Sequence, residues 1–306
     1  MENSDDWQLV KRRTADADGA VYVSADGRRY RRTGGEALQA ESAFQEMVER
    51  LGYPVPRLLA RGQDNDGRVW VVEESLGARS LHDEAVADGG QELSDAVVDQ
   101  LAQVSARLLH AQITHPLAAE PGALLRWVDQ AGWTHNVFAE NPDLDTERTR
   151  AALAHVAERL DGSPLVWSHL DYGLPNVLTA GVIDWQHYGV GPAGYDVTLA
   201  LEIIPFKGGA KGYTATPTQR GRYLAALDSA ASAAGAGPVS VHLGAFLLVK
   251  SLFFLALMKP AASAPAEKQT KWQYRRHLFL KGLEQYERTG DIDTASFPTL
   301  DEFAAG

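Results

Sequence analysis

The periodicity of this sequence changes at Gly77, and that change restricts the possible folds more than any other feature. Before it, residues 7–33 alternate polar and apolar in short pieces. The stretch AVYVSADGRRYRRT sets Ala25-Asp26-Gly27 between two extended runs, which is a hairpin signature. Residues 36–51, EALQAESAFQEMVERL, switch to helical spacing, with Leu38, Phe44, Val48 and Leu51 near one face and Gly52 as a stop. YPVPRLLARG cannot be helical at its prolines, and RVWVVEES reads as a further strand. The first quarter is therefore expected to be a small antiparallel sheet with one inserted helix. After Gly77 strands become scarce, and helices are expected over 94–112, 147–160, 218–235 and 241–259. The break falls within EESLGARS and divides the chain into residues 1–78 and 79–306. The last fifteen residues read as a surface tail.

The main exception among the helices is WSHLDYGLPNVLTAGVIDWQ, residues 167–186. Two apolar runs flank Ala180-Gly181, so a hairpin is expected in which Leu178 opposes Ile183 and Val177 opposes Asp184. Asn176 and Asp184 then share its open end, where an amide oxygen and a carboxylate converge. Such oxygen ligands suit Mg²⁺, which keeps other positions for water and phosphate oxygens. Asp171 lies five positions before Asn176, on the entering loop, where a carboxylate can accept the proton of an incoming hydroxyl. The order His-x-Asp, four residues, Asn, then Asp on the next strand is that of the protein-kinase arrangement. Phosphoryl transfer asks mainly for an aligned nucleophile and neutralised phosphoryl oxygens. His169 reads as a brace for this loop, and Asp196 as a helix N-cap or a brace beneath it.

Composition narrows the partners. A net charge of -11 is the wrong sign for a nucleic-acid binder and suits a cationic small molecule. The absence of cysteine excludes disulfides, thiolate zinc sites and cysteine nucleophiles. MENSDDWQLV has neither the basic nor the apolar region of a secretory signal. The most apolar stretch, LGAFLLVKSLFFLALM at 243–258, is too short for a bilayer span and carries Lys250 in its middle, so it reads as a buried helix. A cytoplasmic protein without membrane or nucleic-acid partners, monomeric or homodimeric, is expected.

The chain resembles the aminoglycoside phosphotransferase family, small-molecule kinases related to choline and fructosamine kinases. LGYPVPRLLARG, VVEESLGARSL, RLLHA at 107–111, the 167–186 segment and GPAGYDVTLAL carry the resemblance. It implies an α+β, two-lobed, protein-kinase-like fold, with a small antiparallel β lobe bearing one helix and a larger helical lobe. It further implies ATP (or GTP) and Mg²⁺ in the cleft, and a hydroxylated small molecule, an antibiotic foremost, as acceptor. Asp171 would be the base and Asn176 and Asp184 the magnesium ligands. Glu73, Glu74, Ser75 and Leu76 would form the nucleotide-contacting hinge, and Glu41 would orient the phosphate-binding cation. Two positions depart from the family pattern. Leu170 stands where a small residue is usual, and the strand RRYRRT offers arginines where a lysine is usual. Arg31 is the expected cation, with Arg32 next. A metabolic kinase of the choline, sugar or homoserine type, and an inactive kinase-like binding protein, remain the alternatives.

Other motifs carry less. GVGPAG at 189–194 lacks the βαβ context of a dinucleotide fingerprint, and KGGAKG at 207–212 lacks the P-loop spacing. RRTADADGAV has the single glycine Gly19, so a protein-kinase glycine loop is absent. His110 reads as a packing residue, and Trp127, Trp133 and Trp272 as either cleft lining or core. A metal-dependent hydrolase would need more histidines than 167–186 contains.

Overall fold

Alternating residues in the first part of the chain pair into a five-stranded antiparallel sheet, in which the strands, counted along the chain, lie in the order 1-2-3-5-4. The computed structural model describes residues 7–13, 19–89, 92–118, 120–129, 137–202 and 213–306. The strands are β1 (Trp7–Arg13), β2 (Gly19–Ser24), β3 (Arg29–Gly34), β4 (Leu58–Gln63) and β5 (Val69–Glu74). The expected β2–β3 hairpin forms. Gly27 supplies the positive φ of its turn, at 70°, and Asp26 accepts from Ser24 Oγ at 2.6 Å. Helix α1 (Glu36–Glu49) follows β3 and turns Leu38, Phe44 and Val48 inward, Leu38 meeting Val69 and Val71 on the sheet.

The second part is mainly helical: α2 (Leu81–Ala87), α3 (Asp95–Thr114), α4 (Ala123–Asp129), α5 (Val137–Glu140) and α6 (Glu147–Arg159) precede β6 (Leu165–Ser168). Then come β7 (Val177–Leu178), β8 (Gly181–Val182), β9 (Gly189–Pro192), α7 (Tyr195–Thr198), α8 (Pro217–Ala233), α9 (Leu243–Leu257), α10 (Ala266–Thr289) and α11 (Leu300–Ala305). Helix α3 buries Val97, Leu101, Val104 and Leu108, a 3.6-residue stripe, and Ser94 caps its start through the Val97 N–H. Pro217 and the Thr216/Gln219 capping box start α8, which packs along α3. Helix α9 is apolar on all sides and correspondingly central, with Ala245, Phe246, Leu247, Val249 and Leu252 fully buried. At roughly 1.5–3 kcal/mol per large side chain, this helix contributes much of the burial that holds the helical part together. None of the described helices is long and apolar enough to cross a membrane.

Three readings are corrected. The last residues are no tail. Ile292 and Thr294 are buried, Phe303 packs 5.5 Å from Tyr274, and a Thr299/Glu302 capping box starts α11. Phe297, Leu300 and Phe303, spaced three apart, provide the apolar face that docks this segment. Helix α10 lay undetected because charged residues dilute its buried stripe of Tyr274, Leu278, Phe279, Leu283 and Tyr286. His110 faces solvent on α3 rather than packing. Trp127 is buried, Trp272 is half-buried with its Nε1 donating to the Leu255 carbonyl, and both belong to the core. Trp133 and the 207–212 motif lie outside the described residues. GVGPAG contributes β9, paired antiparallel with β6, with no βαβ unit around it.

Candidate active site

The β7–β8 hairpin forms with its turn one residue earlier than expected, so that each cross-strand partner shifts by two. Val177 pairs with Val182 and Leu178 with Gly181, leaving Thr179 and Ala180 as the turn. The cause lies outside the hairpin. The Val182 N–H donates to the Pro54 carbonyl at 2.7 Å, the Ala180 N–H and Thr179 hydroxyl to the Leu76 carbonyl at 2.9 and 3.2 Å. A Cβ on Gly181 would stand 2.2 Å from the Pro54 oxygen, so only glycine admits this approach. Asn176 then opposes Ile183, whose N–H donates to the Asn176 carbonyl at 2.9 Å. Asp184 follows immediately, so the two remain at one open end.

Asn176 spends its Nδ2 on the Asp171 carbonyl at 2.9 Å and approaches the Asp171 carboxylate at 3.5 Å. Its Oδ1 makes none of these bonds, and the residue lines the cleft. Asp184 sits in the left-handed region, φ 65° and ψ 54°, at the start of a short 3-10 turn. A non-glycine residue held there is characteristic of functional positions. Asn176 and Asp184 line a cleft of about 280 Å³ with Tyr30, Arg32, Glu73, Glu74 and Leu76.

Two residues brace the loop that carries Asp171. The buried Asp196 carboxylate accepts the N–H groups of His169 and Leu170 at 2.6 and 2.9 Å. His169 Nδ1 accepts the Asp171 N–H at 3.3 Å, so the ring proton sits on Nε2, which donates to the Ile183 carbonyl at 2.9 Å. The imidazole is fully buried edge-on to Trp185 and is committed to the backbone on both sides. Tyr172 extends the scaffold. Its hydroxyl lies 2.7 Å from Ser105 Oγ, and Tyr223 reaches that Oγ at 2.9 Å and the Val197 carbonyl at 2.6 Å. Burial pushes the Tyr172 phenol well above its ordinary pKa, which keeps this chain neutral.

The cation that meets Glu41 is Arg32, a correction of the expected Arg31. Successive strand residues face opposite sides of a sheet. Arg32 pairs across β3–β5 with the buried Val71, on the side covered by α1, whereas Arg31 pairs with Val72. Arg32 donates to Glu41 at 2.8 Å, Gln45 at 2.7 Å and Glu73 at 3.1 Å. Arg31 instead lies over the Trp70 ring, 3.8 Å from Asp64. Burial by itself would lower the Arg32 pKa, but the Glu73 and Glu41 carboxylates, with Asp184 beyond them, hold it above its ordinary value. Its Nε is buried without a partner, and the residue borders the cleft. Of the hinge residues, Ser75 stands apart: its N–H bonds the Arg28 carbonyl at 2.9 Å and it does not line the cleft. Lys11, Arg79 and Asp83 do line it without having been anticipated, as does Tyr30, and Gln45 was missed beside Arg32. Gln45 had a signal, since it lies four residues after Glu41 on one helix face.

Among the described residues no group of three or more His, Cys, Asp and Glu side chains is arranged to hold a metal. Any cation here would be shared between Asn176, Asp184 and oxygens brought by a ligand. The arrangement can align a hydroxyl at Asp171 and hold an anion beside Arg32.

The sequence matches the model of the phosphotransferase enzyme family (APH) over residues 9–237. No curated relative matches the chain. Among solved structures, a candidate aminoglycoside phosphotransferase from Ralstonia eutropha JMP134 is 13% identical, with a TM-score of 0.62 over 93% of this chain and 94% of that one. A thermostable variant of aminoglycoside phosphotransferase APH(4)-Ia, in ternary complex with AMP-PNP and hygromycin B, is 15% identical, TM-score 0.53, over 93% and 94% of the two chains. The GDP complex of aminoglycoside 2'-phosphotransferase-IIIa is 14% identical, TM-score 0.53, over 94% and 95%. These likenesses agree with a kinase-like fold: antiparallel sheet first, helical part second.

Proposed function

The chain belongs to the phosphotransferase enzyme family, and from that membership we propose that it moves the γ-phosphoryl group of ATP or GTP to a hydroxyl of a small molecule. One observation carries the reading: Asn176 and Asp184 line one cleft with Arg32, the partner of Glu41, and the Asp171 carboxylate lies 3.5 Å from Asn176 at the same hairpin end. The bound GDP and AMP-PNP of the structural neighbours support a nucleotide there.

The donor set fits Mg²⁺, because one carboxylate and one amide oxygen suffice when phosphate oxygens and water complete an octahedron. Asn176 and Asp184 would hold it. Bound there, it would supply neutralisation of charge on the phosphoryl oxygens. The chain's own residues do the rest. Asp171 accepts the proton of the acceptor hydroxyl as its oxygen bonds to the γ-phosphorus. The bond from γ-phosphorus to the bridging oxygen breaks, and the nucleoside diphosphate departs. Arg32 keeps its charge at all working pH values, held between Glu41 and Glu73, and sets a fixed positive charge at the cleft wall beside the phosphate oxygens. Tyr30, Leu76 and Leu178 give the cleft apolar walls suited to a purine.

An aminoglycoside is the acceptor best supported. The hygromycin B complex is one such neighbour, and a net charge of -11 attracts a polycation. The two departures from the family pattern do not favour an inactive protein, since Arg32 reaches Glu41 and Leu170 is accommodated. The test is ADP or GDP release from purified protein with each triphosphate, against aminoglycosides, choline and simple sugars. Stimulation by an aminoglycoside, with a product heavier by one phosphoryl group, is expected. Stimulation by choline or a sugar alone would move the assignment to a metabolic kinase. No stimulation and no nucleotide binding would sink the kinase reading.

A further inference from the structure

Lys250 is the charged residue inside the most apolar helix of the protein, and the catalytic constellation above does not use it. It is 7% exposed, and its Nζ donates to the Leu170 carbonyl at 2.5 Å. The rings of Phe253, Tyr195 and Phe254 lie 4.7, 5.4 and 5.5 Å from the ammonium, offering cation–π faces. Such a charge is costly to bury and persists only where its partners are fixed.

Leu170 has φ 63°, and with Asp184 it is one of two non-glycine residues of positive φ among those described. That region is sterically crowded for a branched side chain. The Leu170 side chain is buried in the core, so the backbone must turn left-handed here to keep it inside while the next residue emerges. Both sides of the peptide joining Leu170 to Asp171 are gripped. Its carbonyl takes the Lys250 ammonium, and its N–H meets His169 Nδ1. One residue back, Asp196 holds the two preceding N–H groups. Anion on the amides and cation on the carbonyl together over-determine a conformation that leucine alone would leave. The side chains of Lys250, Asp171 and Asp196 border one small cavity beneath the loop.

We propose that Lys250 is a positioning residue, pinning the Leu170–Asp171 peptide so that the Asp171 carboxylate stays beside Asn176 at the edge of the cleft. This rests on Asp171 being the base. Without the ammonium the peptide keeps only its N–H contact to His169, so it can tilt and turn the Asp171 carboxylate away while Arg32 and Asp184 stay in place. The consequence is a loss in turnover with nucleotide affinity retained, which general destabilisation would not produce.

The experiment compares full-length Lys250→Met, Lys250→Gln and Asp171→Asn with the parent. Folding is checked by circular dichroism, Mg-ATP affinity by titration, and kcat by ADP release with water as the acceptor. The expected result for the Lys250 variants is kcat at least fivefold lower with the Mg-ATP Kd within twofold. A smaller loss in a folded variant, or a Kd that rises in step with the loss, overturns the proposal. Lys250→Gln keeps a polar head and near-native length, so it carries the test if Lys250→Met does not fold. Failure of both to fold also overturns it, in favour of a purely structural lysine. Asp171→Asn turning over like the parent is failure of the base assignment. A slow Asp171→Asn beside fast Lys250 variants is failure of this proposal alone.

Discussion

The Arg32 guanidinium lies 2.8 Å from the Glu41 carboxylate, with both side chains buried between the sheet and α1. Removing one member of such a pair leaves an uncompensated charge and costs about 3–5 kcal/mol. Arg32→Met is therefore expected to lower the unfolding free energy by about that amount in urea titration. Arg31→Met, whose Asp64 partner is 3.8 Å away and exposed, should stay within about 1 kcal/mol. A larger loss at Arg31 than at Arg32 would reverse the assignment of the cleft cation.

Asp184→Ala should abolish the magnesium-dependent part of ATP affinity, at least tenfold, while affinity in the presence of a chelator is unchanged. Asp171→Asn should behave oppositely, with binding within twofold but turnover lower by about 10²-fold or more, the range for removing a general base. Equal effects of the two variants on binding would mean that they do not divide the labour as argued.

At Gly181 the atom in the way is backbone, the Pro54 oxygen 2.2 Å from a built Cβ. It cannot swing aside, so Gly181→Ala should destabilise by about 1–3 kcal/mol, as overpacking does. The control is Gly221, on the exposed side of α8 with no atom within 4 Å of a built Cβ. Gly221→Ala should stabilise by roughly 0.5–1 kcal/mol. Denaturant midpoints report both.

Burial, with the Arg159 guanidinium nearby, holds the His242 imidazole below its ordinary pKa. As pH falls through about 6.5 the unfolded chain takes up a proton that the folded one still refuses. The unfolded state then binds more protons, so His242 contributes stability above that pH and loses it as pH drops through the folded value. The thermal midpoint should therefore fall less between pH 7.5 and 5.5 in His242→Gln than in the parent. An equal or steeper fall would show that His242 is not the titrating group.

Much of the β lobe was legible because its signals are local. Asp26-Gly27 between two extended runs suffices to turn β2 into β3, and the spacing of Leu38, Phe44 and Val48 suffices to seat α1. Helix α10 and the docked segment ending in Phe303 were not legible in this way. Their apolar faces are short or diluted by charge, and they gain stability only against Tyr274 and its neighbours.

The order Asp171, Asn176, Asp184 was determined by the sequence alone, since a few residues of spacing bring the three side chains to one hairpin end. Tertiary structure chose between Arg31 and Arg32, because the face of a strand that becomes interior depends on where a helix packs. It also chose the hairpin register, through Pro54 and Leu76, and it joined Lys250 to Leu170 across 80 positions. Spacing governs what neighbours along the chain can do together. Face, register and long-range contact follow only from how distant segments exclude water and satisfy one another's buried polar groups.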